Sequence, residues 1–379
     1  MMAKLYPHLA DRSECTGCGI CSAICSTRSI TLEEGYMGHV FPIINKKTCI
    51  GCGLCERTCP AISPVRLSCI REAYASWSKN ETDYKTSASG GIATALSKYI
   101  INRGGVVYGC AMLPNVEVHH IRVDKLGDLE KLKSSKYVQS SIVHIIPSLK
   151  NDIKSGRTVL FIGTPCQVAA IRAMFKSQPE KLYLVDLICH GVPSLKLLQY
   201  YVRKSISNKN CSKVTFRQGN RFSLQIWDND KSIFSMPSRS PYYRGWYLDA
   251  FLDGYTYRDS CYKCPFACSE RIGDITIGDF WGLGKKTPAT EIPDHPFGCS
   301  VVLPISEMGS QLINEIRPYI ELYPREVQEA IAGNTQLRRP FKQNKRIRLY
   351  RMIQKIVFWP SFYRWINIDR FFPAILKGC

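Results

Sequence analysis

Apolar residues recur at helical spacing through Ile92, Leu96, Tyr99 and Ile100 and stop at Gly104-Gly105, which predicts a helix followed by a strand at Val106-Val107-Tyr108. Thr158–Gly163 is a short unbroken apolar run, as expected of a strand buried on both faces, and a helix is predicted over about 167–176. The pattern repeats with Leu182–Ile188 as strand, Cys189–Ser194 as loop and Leu195–Lys204 as helix. Alternating strands and helices imply a parallel sheet with crossovers, in which loops at the carboxyl ends of neighbouring strands lie side by side and form ligand sites. Cys166 and Cys189 each fall in such a loop. Alternation in Val214–Arg217 and Ser223–Trp227, with Asp228–Asp230 as a turn, predicts an antiparallel excursion, and Ser29–Asn45 reads as a hairpin through Gly35 and Gly38.

Composition divides the chain into zones. Residues 1–65 are dominated by Cys and Gly, residues 70–155 and 156–330 carry the strand–helix alternation, and 331–379 form a basic, aromatic tail. With 379 residues and 45% hydrophobic content the chain has a true core rather than disorder. Met1–Ser13 includes Asp11 and has neither a long apolar stretch nor an Arg-rich amphipathic pattern, so a secretory or organellar signal is not expected. No apolar run reaches the roughly eighteen residues a spanning helix needs, which places the protein in the cytoplasm, at most peripheral at the inner face of the membrane. Half of the formal charge of +20 lies in 338–379, where eleven Lys or Arg face a single acid, Asp369.

Eighteen cysteines in a chain of this kind point to metal rather than disulfides. Cys15, Cys18, Cys21 and Cys25 follow C-x2-C-x2-C-x3-C, and Cys49, Cys52, Cys55 and Cys59 repeat it, ending in Pro60. In the two-cluster bacterial ferredoxin pattern the fourth Cys of each run serves the other cluster, which assigns Cys15, Cys18, Cys21 and Cys59 to one 4Fe-4S centre and Cys49, Cys52, Cys55 and Cys25 to a second. Zinc ribbons, the competing reading, use paired C-x2-C knuckles rather than two identical four-cysteine runs. Cys166 and Cys189, with the C-x2-C of Cys261 and Cys264, are candidates for a third cluster, for which Cys268 competes as a ligand. Cys69, Cys110, Cys211, Cys299 and Cys379 show no ligand spacing and read as structural.

Five segments carry a resemblance: Ser87–Gly91, Ser135–Ser140, Gly163–Gln167, Cys189–Pro193, and Arg258–Cys264 followed by Gly273–Gly282. In this order, over about 70–305, they resemble the family of coenzyme F420 hydrogenase/dehydrogenase beta subunits, in which a preceding ferredoxin module is a common fusion. The resemblance implies a combined α+β and α/β architecture: a bacterial ferredoxin-like domain, then a mixed α/β flavin-binding domain with a partly parallel sheet. It implies one FAD, and a third 4Fe-4S cluster on Cys166, Cys189, Cys261 and Cys264. The implied flavin contacts are Ser87, Ser89, Gly90, Gly91 and Thr94; Lys136, Tyr137, Gln139 and Ser140; and Gly163, Thr164, Pro165 and Gln167.

The chemistry of several of these residues suits that role. Ser89-Gly-Gly91 sets small residues at a helix N-terminus, where free N–H groups favour a phosphate or an electron-rich ring edge, and Lys136 suits an anionic reduced flavin. Thr164 and Gln167 offer hydrogen bonds to ring atoms; His190 is the candidate proton donor or substrate contact, the alternative being a histidine that bonds the backbone of its loop, and with Lys136, otherwise a solvated surface charge, it makes up the expected catalytic residues. The aromatic stretch Pro241–Phe251 is either a stacking wall or core. The tail from Arg346 to Lys377 interleaves basic and aromatic residues, as an interfacial segment on an anionic membrane does, or packs on the body. The preferred expectation is an oxidoreductase taking electrons from ferredoxin or another low-potential donor through clusters to FAD. Its acceptor would be a small molecule, a nucleotide- or lipid-linked sugar in polysaccharide synthesis. The alternatives are an electron-transfer subunit of a larger complex, coenzyme F420-linked complexes included, and an assembly factor with structural clusters. No nucleic-acid recognition motif is present.

Overall fold

The computed structural model describes residues 6–175, 177–207, 209–218, 221–239 and 245–367. Eight strands form one mixed sheet in the order Ile320–Arg325, Ala73–Ser78, Ser300–Pro304, Ile275–Asp279, Leu182–Leu187, Val159–Gly163, Val106–Leu113, Glu117–Val123. The four strands from Ile275–Asp279 to Val106–Leu113 are mutually parallel, and the outer pairings on both sides are antiparallel. Val107, Leu160 and Val185 face the helices Ile92–Asn102 and Glu307–Ile316, while Val106, Val159, Phe161 and Leu184 face Ile146–Lys154 and Pro165–Arg172. Helices cover both faces, which is why these strands read as unbroken apolar runs. The helix predicted over 167–176 begins two residues earlier and ends at Arg172, because Thr164 and Gln167 close a capping box around Pro165.

The antiparallel excursion is a three-stranded sheet, Lys213–Gln218, Arg221–Asp228 and Lys231–Pro237. It packs Phe216, Leu224 and Ile226 with the helices Leu195–Ile206 and Trp246–Leu252 into a second core. That core holds Trp246 and Tyr247, so these members of the aromatic stretch are core, while Pro241–Arg244 lie outside the described residues. The tail divides. Helices Lys345–Ile356 and Phe362–Ile366 insert Ile347, Tyr350 and Tyr363 into the same core, whereas Met352, Ile356, Val357 and Trp365 are exposed. Residues 368–379 lie outside the description, and no described helix is long and apolar enough to cross a membrane.

The N-terminal region is ferredoxin-like in plan. Strands Ile30–Glu34 and Val40–Ile44 pair as the predicted hairpin, and each cysteine run carries one short helical turn, Ile20–Ala23 and Leu54–Arg57. Gly19 and Gly53 cap these turns at φ 75° and 69°, a conformation glycine adopts without strain. The hairpin tip docks on the larger domain: Met37 is buried beside Leu197, Ser194 donates to the Met37 carbonyl at 2.5 Å, and Tyr36 donates to Asp259.

Candidate functional site

Eleven of the twelve cysteines read as ligands from the sequence fall into three sets of electrostatic neighbours, Cys49 being the one left outside them. Cys21 is pushed up by burial and then by Cys18, Cys15 and Cys59, and Cys59 by burial and Cys15, so the first run is completed by the last cysteine of the second. Cys55 is raised by burial, with Cys25 and Cys52 adding, so the last cysteine of the first run lies near the second run. Burial opposes ionisation of Cys25 too, but hydrogen bonds from Thr27 and the Ser29 amide outweigh it. Cys189 is raised well above its ordinary value by burial and then by Cys261, Cys166 and Cys264, and burial lifts each of the last three to about 11. A cavity of about 40 Å³ lies among these four, bounded also by Thr16, Phe266 and Phe341.

Thiols that suppress one another's ionisation in a buried setting are poor acids alone and good ligands once a cation neutralises them, and the first and third groups have this chemistry, as the ligands of a cubane would. Among the described residues no three His, Cys, Asp or Glu side chains close tightly enough for one metal ion. Cys268 does not border the small cavity. Its thiol donates to the Pro265 and Glu270 carbonyls at 3.4 and 3.3 Å.

Cys18 is raised by burial and next by Cys166, so the first group abuts the third. The third abuts a larger cavity of about 360 Å³, because Cys189, His190 and Thr164 line both spaces. The larger cavity opens at the carboxyl ends of the parallel strands, the place the topology predicts. Its walls include Ser87, Ser89, Gly91 and Thr94 from the start of the Ile92–Asn102 helix, then Lys136, Tyr137 and Ser140, then Gly163, Thr164 and Gln167. Gly91 caps that helix at φ 81°, so a bare backbone borders the cavity.

Three of the sequence-derived contacts stand elsewhere. Gly90 is a packing glycine: a Cβ there would meet the Ser76 carbonyl at 2.3 Å. Pro165 borders the small cavity only. Gln139 turns to the N-terminal module, donating to the Thr16 and Gly17 carbonyls at 3.0 and 3.3 Å. Gln167 lines the cavity, yet its amide is spent on the capping box and on Ser140 at 3.0 Å, so it shapes the wall rather than offering a free donor.

Lys136 faces the cavity, but its ammonium already donates to the carbonyls of Leu132 and Lys133 at 2.8 and 2.7 Å, and burial lowers its pKa to about 8. His190 opens into the cavity, and the poorly hydrated surroundings lower its pKa while Asp279 opposes. Sequence reading missed several wall residues. Asp279 pairs with Arg217 at 3.3 Å, and Trp281 lies beyond it; both belong to the Gly273–Gly282 segment, so a signal was present without an assigned role. His120 was not signalled: it stacks on Phe161 and bonds to the Ile162 carbonyl, and burial lowers its pKa to about 4. Cys110, read as structural, also borders the cavity.

A ferredoxin-like module whose cysteines run up to a parallel-sheet cavity defines an iron–sulfur redox protein of the oxidoreductase type. Residues 156–328 match the family described as the C terminus of the coenzyme F420 hydrogenase/dehydrogenase beta subunit, and residues 14–62 match the 4Fe-4S dicluster domain. Residues 156–328 thus form a domain of that C-terminal family, preceded by an N-terminal 4Fe-4S dicluster domain. It is 23% identical over 326 residues, 81% of this chain and 84% of the relative, to one of the subunits of the F(420)H(2) dehydrogenase of Methanosarcina mazei. Among solved structures it resembles a chain of the F420-reducing [NiFe] hydrogenase complex from Methanosarcina barkeri, with a TM-score of 0.47 and 20% identity, covering 71% of this chain and 91% of that one.

Proposed function

We propose that the chain is an iron–sulfur electron-transfer subunit of an F420 hydrogenase/dehydrogenase-like complex. It would pass single electrons between a partner at its N-terminal module and a two-electron carrier at the larger cavity. The observation that carries this reading is the shared wall: Cys18 neighbours Cys166, and Cys189 with His190 borders both cavities, so the first and third groups lead to a ligand-sized space, with the second packed on the first through Cys21 and Cys55. The groups would hold 4Fe-4S clusters on Cys15, Cys18, Cys21 and Cys59; on Cys25, Cys49, Cys52 and Cys55; and on Cys166, Cys189, Cys261 and Cys264. An FAD in the larger cavity would supply the exchange between one-electron and hydride chemistry.

The residues present fit such a group. The amide end of the Ile92–Asn102 helix, with Ser87, Ser89 and Gly91, suits a phosphate or a polar ring edge. Lys136 adds positive field, Thr164 shapes the floor beside Cys166, and Phe222, Phe251 and Trp281 supply apolar and aromatic wall. His190, next to Cys189, is placed to hold or move a proton at the cavity side.

The name of the Methanosarcina mazei relative favours a subunit over a free-standing reductase and says nothing of glycan chemistry. Anaerobic purification with iron, sulfide and flavin quantitation tests the reading: about twelve iron and one FAD per chain are expected. About eight iron, or no flavin after reconstitution, would sink it.

A further inference from the structure

Arg258 is the largest fully buried side chain in the molecule as described, with no exposed surface. A buried guanidinium ordinarily faces a carboxylate, because removing an unpaired cation from water is strongly unfavourable. Among the described residues no Asp or Glu pairs with Arg258. Its Nε donates to the Cys15 carbonyl at 2.6 Å and its Nη2 to the Val40 carbonyl at 2.7 Å and the Cys15 thiol at 3.5 Å. Its Nη1 donates to Gln139 Oε1 at 3.3 Å, and its plane lies 4.3 Å from the Phe41 ring centre.

All of these partners are neutral. The neighbouring His39 is held neutral too, its pKa brought to about 3 by burial and then by Arg258 and Arg351. Gly17 leaves room for the fork: a Cβ there would meet Nη1 at 2.5 Å. The backbone of Arg258 starts the turn carrying Cys261 and Cys264, its carbonyl accepting from the Cys261 amide at 3.0 Å, and its charge is a minor lowering influence at Cys166 and Cys261, behind burial, one hydrogen bond and a neighbouring thiol in each case. One positive charge thus faces the first cysteine group through Cys15 and the third through Cys166 and Cys261. None of its hydrogen bonds reaches Cys25, Cys49, Cys52 or Cys55.

We propose that Arg258 is the fixed countercharge shared by the first and third cluster sites, and that it raises the reduction potentials of both relative to the second. This deepens, and rests on, the reading of the three cysteine groups as cluster sites. A cubane on four thiolates is an anion that gains one negative charge when it accepts one electron. A cation held in a water-free setting therefore stabilises the reduced form. Guanidinium stays protonated throughout, so each transfer between the two sites moves one electron and leaves Arg258 unchanged. Gln139 and Gly17 are the positioning residues that keep the fork against Cys15.

The test is a redox titration of the reconstituted full-length protein followed by electron paramagnetic resonance, on the wild type, Arg258→Gln and Arg258→Lys. With Gln, the first and third clusters should shift to more negative potential and the second, on the exposed side, should keep its value; Lys should give a smaller shift in the same direction. Intact clusters with unchanged potentials in Arg258→Gln would overturn the proposal, as would an equal shift of all three. If Arg258→Gln loses iron, Arg258→Lys decides: a negative shift of the same two clusters supports the proposal. Unchanged potentials or iron loss in that variant as well would reduce Arg258 to a structural latch. A wild type holding only eight iron would instead count against the three-cluster reading itself.

Discussion

Lys136 sits with its ammonium on the carbonyls of Leu132 and Lys133 and its side chain against the cavity, and burial brings its pKa from 10.5 to about 8. The sign follows from the depressed value. Below about pH 8 folded and unfolded chains are both protonated and the fold carries the full desolvation cost; between about 8 and 10.5 only the unfolded chain holds the extra proton, so stability rises with pH in that window. An anion in the cavity favours the protonated form, so its affinity should fall as pH climbs through about 8. FAD titrations at pH 7 and pH 9.5 should show this loss in the wild type and much less of it in Lys136→Arg. The cysteines give a second residue-level prediction. Cys166→Ser should cost about four iron per chain, whereas Cys268→Ser should leave the iron count unchanged, because Cys268 is already bonded to the Pro265 and Glu270 carbonyls. The eight N-terminal ligand candidates were legible because local spacing alone defines them. Spacing left Cys264 and Cys268 in competition; in the fold Cys264 lies near Cys261, while Cys268 bonds to the Pro265 and Glu270 carbonyls.

Elements in the cavity region are tied by buried ion pairs. Asp186, on the Leu182–Leu187 strand that delivers Cys189, accepts from Arg271, from Thr276 at 2.9 Å and from the Gly273 amide at 2.7 Å. Arg271 in turn donates to the Phe266 carbonyl at 2.9 Å, so the segment after the C-x2-C is pinned to the strand. Asp186→Ala leaves Arg271 buried and unpaired, which should cost about 3–5 kcal/mol in denaturant unfolding. It should also loosen the third cluster before the first two, measured as preferential loss of four iron on mild chelation. The strands were legible from their apolar runs, and the helix ends less so. At Thr164 the capping box moved the start of the helix forward and consumed Gln167, a role that side-chain geometry decides and periodicity does not carry.

At the scale of the whole molecule, the second cysteine group is the outermost, with Cys52 exposed beside the exposed apolar residues Ile50 and Leu54. The groups then run inward through Cys18 and Cys166 to the cavity. An external low-potential donor should therefore deliver electrons at the Cys52 side. Cys52→Ser should slow donor-driven reduction at the cavity by at least tenfold while leaving bound flavin per chain unchanged, and an unchanged rate in stopped-flow measurements would place the inlet elsewhere. The module holds its position through Tyr36 and Arg351, which both bond to Asp259, so the tail helix Lys345–Ile356 fastens the ferredoxin-like region to the rest.

By itself the sequence determined the features that depend on near neighbours along the chain: the two cysteine runs, the buried parallel strands, the glycine-capped helix start and the hairpin. Their physics is local, set by ligand spacing, by the two- and 3.6-residue periods and by the conformations glycine permits. Only the tertiary structure decided which distant groups meet. It set Cys18 near Cys166, turned Gln139 from the cavity to the module, tied up the ammonium of Lys136, and buried Arg258 against Cys15 with no carboxylate partner among the described residues. Those outcomes turn on desolvation and on hydrogen bonds between residues far apart in the chain, quantities that no local spacing encodes.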